Sequence, residues 1–401
     1  MSFGYHWKRE DQQRWAEERL FRFLRGHVDR YHPRYRGVFR ELSVDTDRIF
    51  GYEDFRRIPL TCRKDLAAGA PSFILRPGEK GGGDETAPLT AWNHWSFAAR
   101  AFTSRYIRDL YGRPRSFREK SRQASLYEWM PALFTFSSGT TGSPVEVALS
   151  LFDVRERWSQ VAGMFYASGW ESHMRVLNLA SAAPNLHFLA PVVASLTLDT
   201  GAAALHPCGW GGVPVERQVA LAAELGCDVA WSRTDEVIPW LDKALELMER
   251  GTVDGLPRLR TVVAGGEAVS GELREQVRER LERLGAREPR ILEAYGMAEM
   301  KACFCECEEG RGIHLNPEFF YWELLDPDTL KPVEWGEPGV LVFSHVDWRG
   351  TVLLRYWTGD LVRGGMVWDK CPSCGLTLPR LFPPVVRTDT ALPEGAGGLP
   401  G

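Results

Sequence analysis

The sequence predicts an α/β fold, in which helices cover mostly parallel sheets and a smaller β-rich region follows towards the C-terminal end. Short apolar runs alternate with helical stretches from residue 176 to residue 294, and such alternation is typical of parallel strands joined by crossover helices. From residue 313 to residue 361, strand-like runs separated by turn sequences take over, which indicates antiparallel pairing. A chain of 401 residues can bury a large core and form more than one domain.

The boundaries of the alternating elements follow from residues that start and stop helices. Proline suits the first turn of a helix and glycine the position just past its end, so Pro214 and Gly226 predict a helix between them. Ser270 is a good N-cap for a helix that ends before Gly285. The same reasoning predicts helices over 214–225, 234–250 and 270–284, and strands over 227–231, 259–264 and 290–294.

Composition and charge narrow the classes of protein that fit. The net charge of −4 lacks the positive excess of nucleic-acid-binding proteins, and no apolar stretch is long enough to cross a membrane. The N-terminal sequence has no apolar core of the kind that a signal peptide needs, so we expect a cytoplasmic protein. Residues 1–77 are expected to form a helical segment with an amphipathic helix over 8–30, and residues 388–401 to be a hinge remnant and a disordered tail.

The most informative stretch is the loop that follows the strand-like run at 133–136. Its glycines let the backbone approach a ligand closely, and consecutive backbone N–H groups in such a turn form a concave anion site. Its hydroxyls can donate to phosphate oxygens or bind Mg²⁺. No Gly-Lys-Ser/Thr follows, so it is not a Walker loop, and an ordinary turn is the alternative. The candidate residues are Ser137, Ser138, Gly139, Thr140, Thr141 and Gly142.

Three further motifs follow this loop along the chain. They are Ala264-Gly265-Gly266-Glu267, Ala294-Tyr295-Gly296-Met297-Ala298-Glu299 and Tyr356-Trp357-Thr358-Gly359-Asp360-Leu361. In this order the four motifs resemble those of the adenylate-forming superfamily, which contains acyl-CoA synthetases, peptide-synthetase adenylation domains and luciferases. The resemblance implies the large N-terminal, AMP-binding domain of such an enzyme over residues 1–387. It also implies that ATP and a carboxylate are converted to an acyl-adenylate and pyrophosphate.

The resemblance further implies a role for each motif in binding Mg-ATP. The hydroxyl loop would hold the β- and γ-phosphates, with Thr140 and Thr141 taking part in catalysis. Glu299 would ligate Mg²⁺, which prefers carboxylate oxygens, and Asp360 would accept hydrogen bonds from the ribose hydroxyls. The adenine would lie against the glycine motif and a tyrosine, and a hinge arginine would contact ribose or phosphate. The residues implied for these contacts are Gly265, Gly266, Glu267, Tyr295, Gly296 and Arg387.

Single residues of these motifs also fit plainer interpretations. Tyr295 alone is compatible with a core aromatic, and Glu299 with a surface acid. Charged residues near a terminus, such as Arg387, are usually just solvated. A shared site is favoured by the position of the first three motifs, each directly after an apolar strand, because ligands of open α/β sheets bind outside the carboxyl ends of the strands.

A cluster of cysteines near the C-terminal end predicts a metal site. The four candidate ligands are Cys307, His314, Cys371 and Cys374. A Cys₃His set suits a closed, tetrahedral Zn²⁺ site of the structural kind, which would staple the β region over 303–380. Cys303 and Cys305 are rival ligands in a crowded run, and a set of buried reduced thiols is the alternative without metal.

Phrases around the cysteines narrow the resemblance to the phenylacetate-CoA ligase-like branch. Glu306-Cys307-Glu308, the Gly-Ile-His-Leu stretch at 312–315 and the cysteine-rich turn before Arg380 match that branch, as does Ile-Pro-Leu-Thr-Cys-Arg-Lys-Asp-Leu at 58–66. By this analogy we expect an aryl or arylacetic acid as the substrate. The residues expected to line its pocket are His187, Trp210 and Trp231, although tryptophan is also a common core residue.

Three departures from the family pattern bear on activity. The superfamily normally continues past the hinge arginine into a small lid domain that carries a lysine for adenylation. Here 12 residues follow Arg387-Thr388-Asp389, so we expect the lid to be absent or supplied by a separate protein. No lysine follows the phosphate loop, and Ala298 stands where Thr or Ser normally precedes the acid. The loss of such contacts weakens stabilisation of an adenylate transition state.

Three hypotheses about function follow. The leading one is activation of a carboxylic acid with Mg-ATP and transfer of the acyl group to CoA or a carrier-protein thiol. The second is transfer of AMP or of the acyl group to another acceptor. The third is an inert nucleotide- or acyl-binding regulator, or one half of a split ligase, which the departures favour. No nucleic-acid or membrane partner is expected, and the oligomeric state, a homodimer included, is left open.

Overall fold

The computed structural model describes residues 4–78, 86–90, 93, 95–96, 116–137, 144–158, 165, 167–171, 174–180, 186–197, 203–205, 213–388, 391–393 and 398–399. Its α-helices are α1 (Arg9–Phe23), α2 (Asp29–Tyr31), α3 (Pro33–Glu41), α4 (Tyr52–Phe55), α5 (Arg63–Gly69), α6 (Phe117–Trp129), α7 (Leu186–Thr197), α8 (Val215–Leu225), α9 (Val237–Glu249) and α10 (Gly271–Arg283). None of these described helices combines the length and apolar character needed to cross a membrane.

The strands of the described residues form four sheets. They are β1 (Pro131–Phe136), β2 (Glu146–Ser150), β3 (Arg175–Asn178), β4 (Ala203–Leu205), β5 (Val229–Arg233), β6 (Thr261–Gly265), β7 (Arg290–Met297), β8 (Ala302–Cys305), β9 (Ile313–His314), β10 (Phe320–Leu325), β11 (Gly339–His345), β12 (Tyr356–Val362), β13 (Met366–Val367), β14 (Arg380–Leu381) and β15 (Val385–Arg387).

A six-stranded sheet with the order β4-β3-β5-β6-β7-β8 forms the centre of the α/β part. Its first five strands run parallel, and β8 pairs antiparallel with β7. Parallel neighbours need crossover connections, and α7, α8, α9 and α10 lie in the connections between successive parallel strands. The predicted alternation is therefore confirmed, with element boundaries shifted by one to three residues.

The helix-end signals act as the sequence predicts. The Ser270 hydroxyl accepts a hydrogen bond from Leu273 N at 3.1 Å and so caps α10. Gly226 follows α8 in the left-handed conformation, with φ of +60°, which a residue with a side chain adopts only with strain. These local signals fix the helix ends, and the ends in turn set where each following strand begins.

The prediction of mostly parallel sheets in the α/β part is right for the central sheet and wrong for the described pair β1-β2. β1 and β2 pair antiparallel, with Phe136 opposite Glu146, so the strand before the hydroxyl loop lies outside the central sheet. The short connection explains this, because parallel strands need a crossover of a dozen or more residues. The sheets β10-β11-β12-β15 and β13-β14-β9 are antiparallel, as the β-rich pattern predicts.

The N-terminal helical segment packs onto the β-rich region and thereby fixes the start of α5. Tyr35 in α3 is fully buried and donates its hydroxyl hydrogen bond to Leu354 O at 3.2 Å. Thr61 bridges to Tyr356 at the start of β12, and Trp357 N donates to Thr61 O at 2.8 Å. Arg63, two positions further on, is consequently held beside β12.

The disorder expected of the tail, residues 391–401, is wrong for the part that the structure describes. Gly398 bridges to Leu60, and Leu399 is 8% exposed within the main core cluster. In the hinge remnant before it, Thr388 N donates to Gly359 O at 2.7 Å. A few apolar side chains in a Gly/Pro-rich segment can keep that segment packed on the protein, since burying one leucine side chain stabilises the fold by about 1.5–3 kcal/mol.

Candidate functional site

The glycine motif lies at the carboxyl end of β6, beside the motif on β7. Gly265 is paired with Ala294 in the parallel register of these strands. Gly266 has φ of +99°, a conformation that favours glycine, and both Gly266 and Glu267 are exposed. The carbonyl of Glu267 accepts a hydrogen bond from Thr234 Oγ1 at 2.9 Å. The two motifs thus meet at an open strand end, the position at which α/β sheets bind ligands.

Tyr295 and Gly296 lie within β7 rather than in a loop after it, which corrects the expected strand end at residue 294. The extension is stabilised by β8, which returns antiparallel and pairs Cys303 with Gly296. A Cβ on Gly296 would lie 2.5 Å from Ala302 O, so the close approach of the two strands requires glycine there. Gly296 has a packing role in addition to its predicted place near the ligand.

Asp360 in β12 is held by two side chains that the sequence also assigned to the site. The Tyr295 hydroxyl donates to Asp360 Oδ2 at 2.7 Å, and Arg387 Nε pairs with Oδ1 at 2.7 Å. The antiparallel register of β12 and β15 places Asp360 opposite Arg387, and Arg387 also donates to Thr358 O at 3.1 Å. The structure therefore brings all three predicted residues together.

Burial shifts the pKa values of Asp360 and Tyr295. Asp360 is 3% exposed, and burial raises the pKa of its carboxyl, a shift that Arg387 and Tyr295 oppose and Glu299 strengthens. Burial, with Asp360 nearby, also holds the pKa of Tyr295 well above its usual value, so that hydroxyl remains a donor. An ionised carboxylate accepts several hydrogen bonds through its two oxygens. Asp360 can therefore also accept hydrogen bonds from ribose hydroxyls.

Arg63 joins the hydroxyl loop to Glu299. It is the first residue of α5, and its Nη1 pairs with Glu299 Oε1 at 3.0 Å while Nη2 donates to Ser137 Oγ at 3.0 Å. Ser137 Oγ also accepts from Val145 N at 2.9 Å, across the base of the loop. The side chain of Glu299 is 6% exposed, so Glu299 is an enclosed, ion-paired acid rather than a surface acid.

Part of the predicted site lies outside the described residues, where the structure gives no contacts. Those residues are Ser138, Gly139, Thr140, Thr141, Gly142 and Trp210. The described residues nevertheless fit a magnesium nucleotide by the chemistry of their groups: a buried acceptor in Asp360, two guanidinium groups in Arg63 and Arg387, and a carboxylate in Glu299. The predicted Mg²⁺ ligand Glu299 is ion-paired with Arg63, a contact that the sequence does not predict.

His187 and Trp231 lie together but differ in accessibility. Trp231 is fully buried and donates from Nε1 to His187 O at 2.9 Å, with 5.4 Å between the two ring centroids. Trp231 is therefore a core residue that supports His187, not an open pocket wall. Burial, reinforced by Arg233, lowers the pKa of His187 to about 4. Its Nε2 is buried without a hydrogen-bond partner in the described part of the chain.

A narrow apolar cavity lies between α7 and β8. Its volume of about 20 Å³ gives room for about one water molecule. Since Cys303 in its wall pairs with Gly296, the cavity lies one strand away from Tyr295. The lining includes Trp158, Phe165, Leu186, Ala190, Val193 and Cys303.

The four predicted metal ligands meet in a single cluster. The ligand atoms of Cys307, His314, Cys371 and Cys374 all lie within 4.8 Å of one another. Cys307 Sγ is 3.6 Å from Cys371 Sγ, and His314 Nε2 is 3.4 Å from both Cys307 Sγ and Cys374 Sγ. The pairing of β9 with β14, which puts His314 opposite Arg380, brings the two halves of the set together.

These separations fit a tetrahedral zinc ion. Zn–S and Zn–N bonds of about 2.3 and 2.0 Å in a tetrahedron imply edges of about 3.8 Å between sulfurs and about 3.5 Å from sulfur to nitrogen. The rival ligands lie elsewhere: Cys305 Sγ is 2.6 Å from Ser168 Oγ, and Cys303 lines the apolar cavity. The cluster joins the chain after β8 to the turn before β14, so a metal held there would act as a staple.

Comparisons with known proteins identify the class. The model of the family described as AMP-binding enzyme matches residues 83–357, and the chain belongs to this family, whose matched relatives here are adenylate-forming carboxylate ligases. It is 30% identical over 397 residues to the phenylacetate-coenzyme A ligase of Thermus thermophilus. That alignment covers 96% of this chain and 72% of the Thermus thermophilus enzyme. The corresponding Escherichia coli enzyme is 25% identical over 241 residues, which is 57% of this chain and 50% of that enzyme.

Solved structures agree on the fold. A crystal structure of 2-hydroxyisobutyryl-CoA ligase, with its acyl-adenylate and CoA in the thioesterification state, superposes with a TM-score of 0.67 at 18% identity. The match covers 94% of this chain and 68% of that one. At this level of identity the likeness shows the adenylate-forming fold alone.

Arg63 is the site residue that sequence reasoning missed. It lies outside the residues matched by the family model and far along the chain from its partners Ser137 and Glu299. The available signal was Arg63 itself, as a basic residue in the Ile-Pro-Leu-Thr-Cys-Arg-Lys-Asp-Leu phrase at 58–66 that carries part of the family resemblance.

Proposed function

We propose that this protein activates a carboxylic acid with Mg-ATP and passes the acyl group to the thiol of CoA. A carboxylate oxygen of the acid attacks the α-phosphorus, and the bond to pyrophosphate breaks. The CoA sulfur then attacks the acyl carbon, AMP leaves, and the thiol proton is released. The observation that carries the proposal is the convergence of Tyr295 and Arg387 on the carboxylate of Asp360.

In this proposal the chain's own groups bind and orient the nucleotide. Asp360 accepts the ribose hydroxyls, Arg387 neutralises Asp360 and reaches ribose or phosphate, and Tyr295 with the glycine motif borders the adenine. The loop with Thr140 and Thr141 holds the β- and γ-phosphates, and Glu299 takes the Mg²⁺. When bound, Mg²⁺ neutralises phosphate charge.

We propose an aromatic or arylacetic acid as the substrate. The cavity between α7 and β8 is apolar and bordered by Phe165, Leu186 and Val193, and the curated relatives are named phenylacetate-coenzyme A ligases. The buried Nε2 of His187 would donate a hydrogen bond to the carboxylate of the acid. This bond would relieve the free-energy cost of a buried polar atom that has no hydrogen-bond partner. The cavity must widen to admit a ring, so we expect α7 to shift on binding.

The acid and the acceptor can be determined in one experiment. The purified protein is incubated with Mg-ATP and a panel of acids, with and without CoA, and the products are separated by mass spectrometry. We expect acyl-AMP without CoA and acyl-CoA with it, with phenylacetate preferred over aliphatic acids of similar size. Acyl-AMP without any acyl-CoA would favour another acceptor, and no product from any acid would contradict the proposed activity.

We also propose that the Cys/His cluster holds a structural zinc ion. Four protein ligands close the coordination sphere, whereas a catalytic zinc keeps one position open. The staple would join the segments that follow Glu299 and Asp360, and so support the nucleotide site from outside.

A further inference from the structure

We propose that Arg63 is a positioning residue that couples metal binding to nucleotide binding. Its guanidinium pairs with Glu299, and the phosphates of a nucleotide would take over the guanidinium and free Glu299 to bind Mg²⁺. This inference rests on the proposed function, because it assumes that a nucleotide binds between the hydroxyl loop and Glu299.

The guanidinium of Arg63 contacts Glu299 with one nitrogen and Ser137 with another. Nη1 is 3.0 Å from Glu299 Oε1, and Nη2 is 3.0 Å from Ser137 Oγ. Ser137 opens the predicted phosphate loop, and its Oγ is itself fixed by Val145 N at 2.9 Å. The planar fork of a guanidinium also matches phosphate oxygens bidentately. A phosphate bound in the loop would therefore compete with both present partners.

The backbone holds Arg63 in place. It begins α5, whose first turn is fixed by Cys62 N donating to Asp65 Oδ2 at 2.8 Å. Two backbone hydrogen bonds fix Thr61 at the start of β12: Thr61 N donates to O of Arg355, just before the strand, at 3.0 Å, and Trp357 N donates to Thr61 O at 2.8 Å. A partner exchange by Arg63 therefore needs a change of side-chain rotamer and no movement of the helix.

The charges around Glu299 explain why the exchange would depend on the nucleotide. Glu299 and Asp360 repel each other enough to contribute to the raised pKa of Asp360, and Arg387 is already paired with Asp360. Among the residues that the structure describes, Arg63 is the cation that forms an ion pair with Glu299. A metal ion arriving alone would have to displace a guanidinium from an enclosed carboxylate, which is unfavourable. A metal arriving with a triphosphate brings the negative charge that Arg63 then pairs with.

The test measures metal binding directly, with Mn²⁺ as a spectroscopic substitute for Mg²⁺ on zinc-loaded protein. In the wild-type protein we expect ATP to tighten Mn²⁺ binding by at least about tenfold, within the range of typical coupling between sites. Arg63→Ala frees Glu299, so Mn²⁺ alone should bind at least about fivefold tighter than to the wild type, and the gain from ATP should shrink. Arg63→Lys keeps the charge and should restore part of the coupling.

Two controls isolate the effect. Lys64→Ala removes the neighbouring exposed cation and should leave Mn²⁺ binding unchanged, whereas Glu299→Gln should abolish the tight site in every background. Equal Mn²⁺ affinity of the ligand-free wild type and Arg63→Ala, with both proteins folded, overturns the inference even if ATP binds normally. Failure of the wild type to bind ATP overturns the proposed function instead, and the comparison of Mn²⁺ binding without ATP still decides whether Arg63 blocks Glu299.

Discussion

Asp360 is the residue on which the proposed nucleotide site depends most. It is buried, and it accepts from both Tyr295 and Arg387. We expect Asp360→Ala to weaken AMP binding by at least about tenfold, because a hydrogen bond to a charged group contributes about 1.5–3 kcal/mol. Calorimetric titration of AMP measures the loss, and circular dichroism checks the fold.

A matched control separates this role from general damage to the sheet. Asp328→Ala changes an acid in a turn of the same β-rich region, away from the site, and should leave AMP affinity unchanged. An Asp360→Ala protein that is folded and binds AMP as well as the wild type would refute the assignment of ribose binding to Asp360.

The protonation of Asp360 predicts a pH dependence. Burial raises the pKa of its carboxyl, so the carboxylate takes up a proton at a higher pH than an ordinary aspartate does. The neutral form is a weaker acceptor and loses its ion pair with Arg387, and AMP affinity should therefore fall as the pH is lowered through the raised pKa. Titrations of AMP from about pH 8 down to about pH 4.5, a range that lies above the usual aspartate pKa, measure this loss of affinity. Asp360→Asn should show no such dependence, and a similar decline in that variant would assign it to another group.

At the scale of the elements, the Cys/His cluster is the connection most open to test. A metal holding Cys307 and Cys371 would tie the chain after β8 to the turn before β14. We expect about one zinc per chain. Cys307→Ser should remove the zinc and lower the free energy of unfolding by at least about 2 kcal/mol, as loss of a metal site is among the larger single effects.

The matched control for this prediction is another buried free cysteine. Cys227 follows α8 and lies in a separate core cluster, so Cys227→Ala should retain zinc while losing some packing. Zinc content by mass spectrometry and urea unfolding give the two readouts. A wild-type protein that folds without zinc and gains no stability from it would leave the cluster as a set of reduced thiols.

How far the sequence predicts each element depends on how local its determinants are. Helix caps and glycine stops act within a few residues, and α8, α9 and α10 therefore lie where the sequence places them. The antiparallel pairing of β1 and the extension of β7 past Ala294 depend on partner strands, which periodicity does not show. The Arg63 contacts to Ser137 and Glu299 join distant segments, and no local pattern predicts them.

At the scale of the whole molecule, the C-terminal segment contributes to the core. Leu399 is 8% exposed and packs in the main cluster. We expect Leu399→Ala to lower the free energy of unfolding by about 2 kcal/mol, the lower end for buried leucines. Leu42→Ala, at a position that is 40% exposed, should change it by less than about 0.5 kcal/mol. Equal, small effects of both substitutions in urea unfolding would contradict the packing of this segment.

The family motifs that the structure describes meet in one site, held together by β6, β7, β12 and β15 and by the N-terminal helix α5. The remaining part of the phosphate loop and Trp210 lie outside the described residues, and their place in the site stays a prediction. The chain spans 72% of the Thermus thermophilus ligase and about half of the Escherichia coli and Pseudomonas putida ligases. Adenylation is the partial reaction to examine first, because the proposed nucleotide site is the one that would carry it.

The most direct test of the proposed function is carboxylate-dependent exchange of labelled pyrophosphate into ATP by the purified protein. We expect exchange that requires Mg²⁺ and an aromatic acid, and that falls by at least about tenfold in Asp360→Ala. A folded protein that binds ATP but shows no exchange with any acid would contradict the claim that this site forms acyl-adenylates.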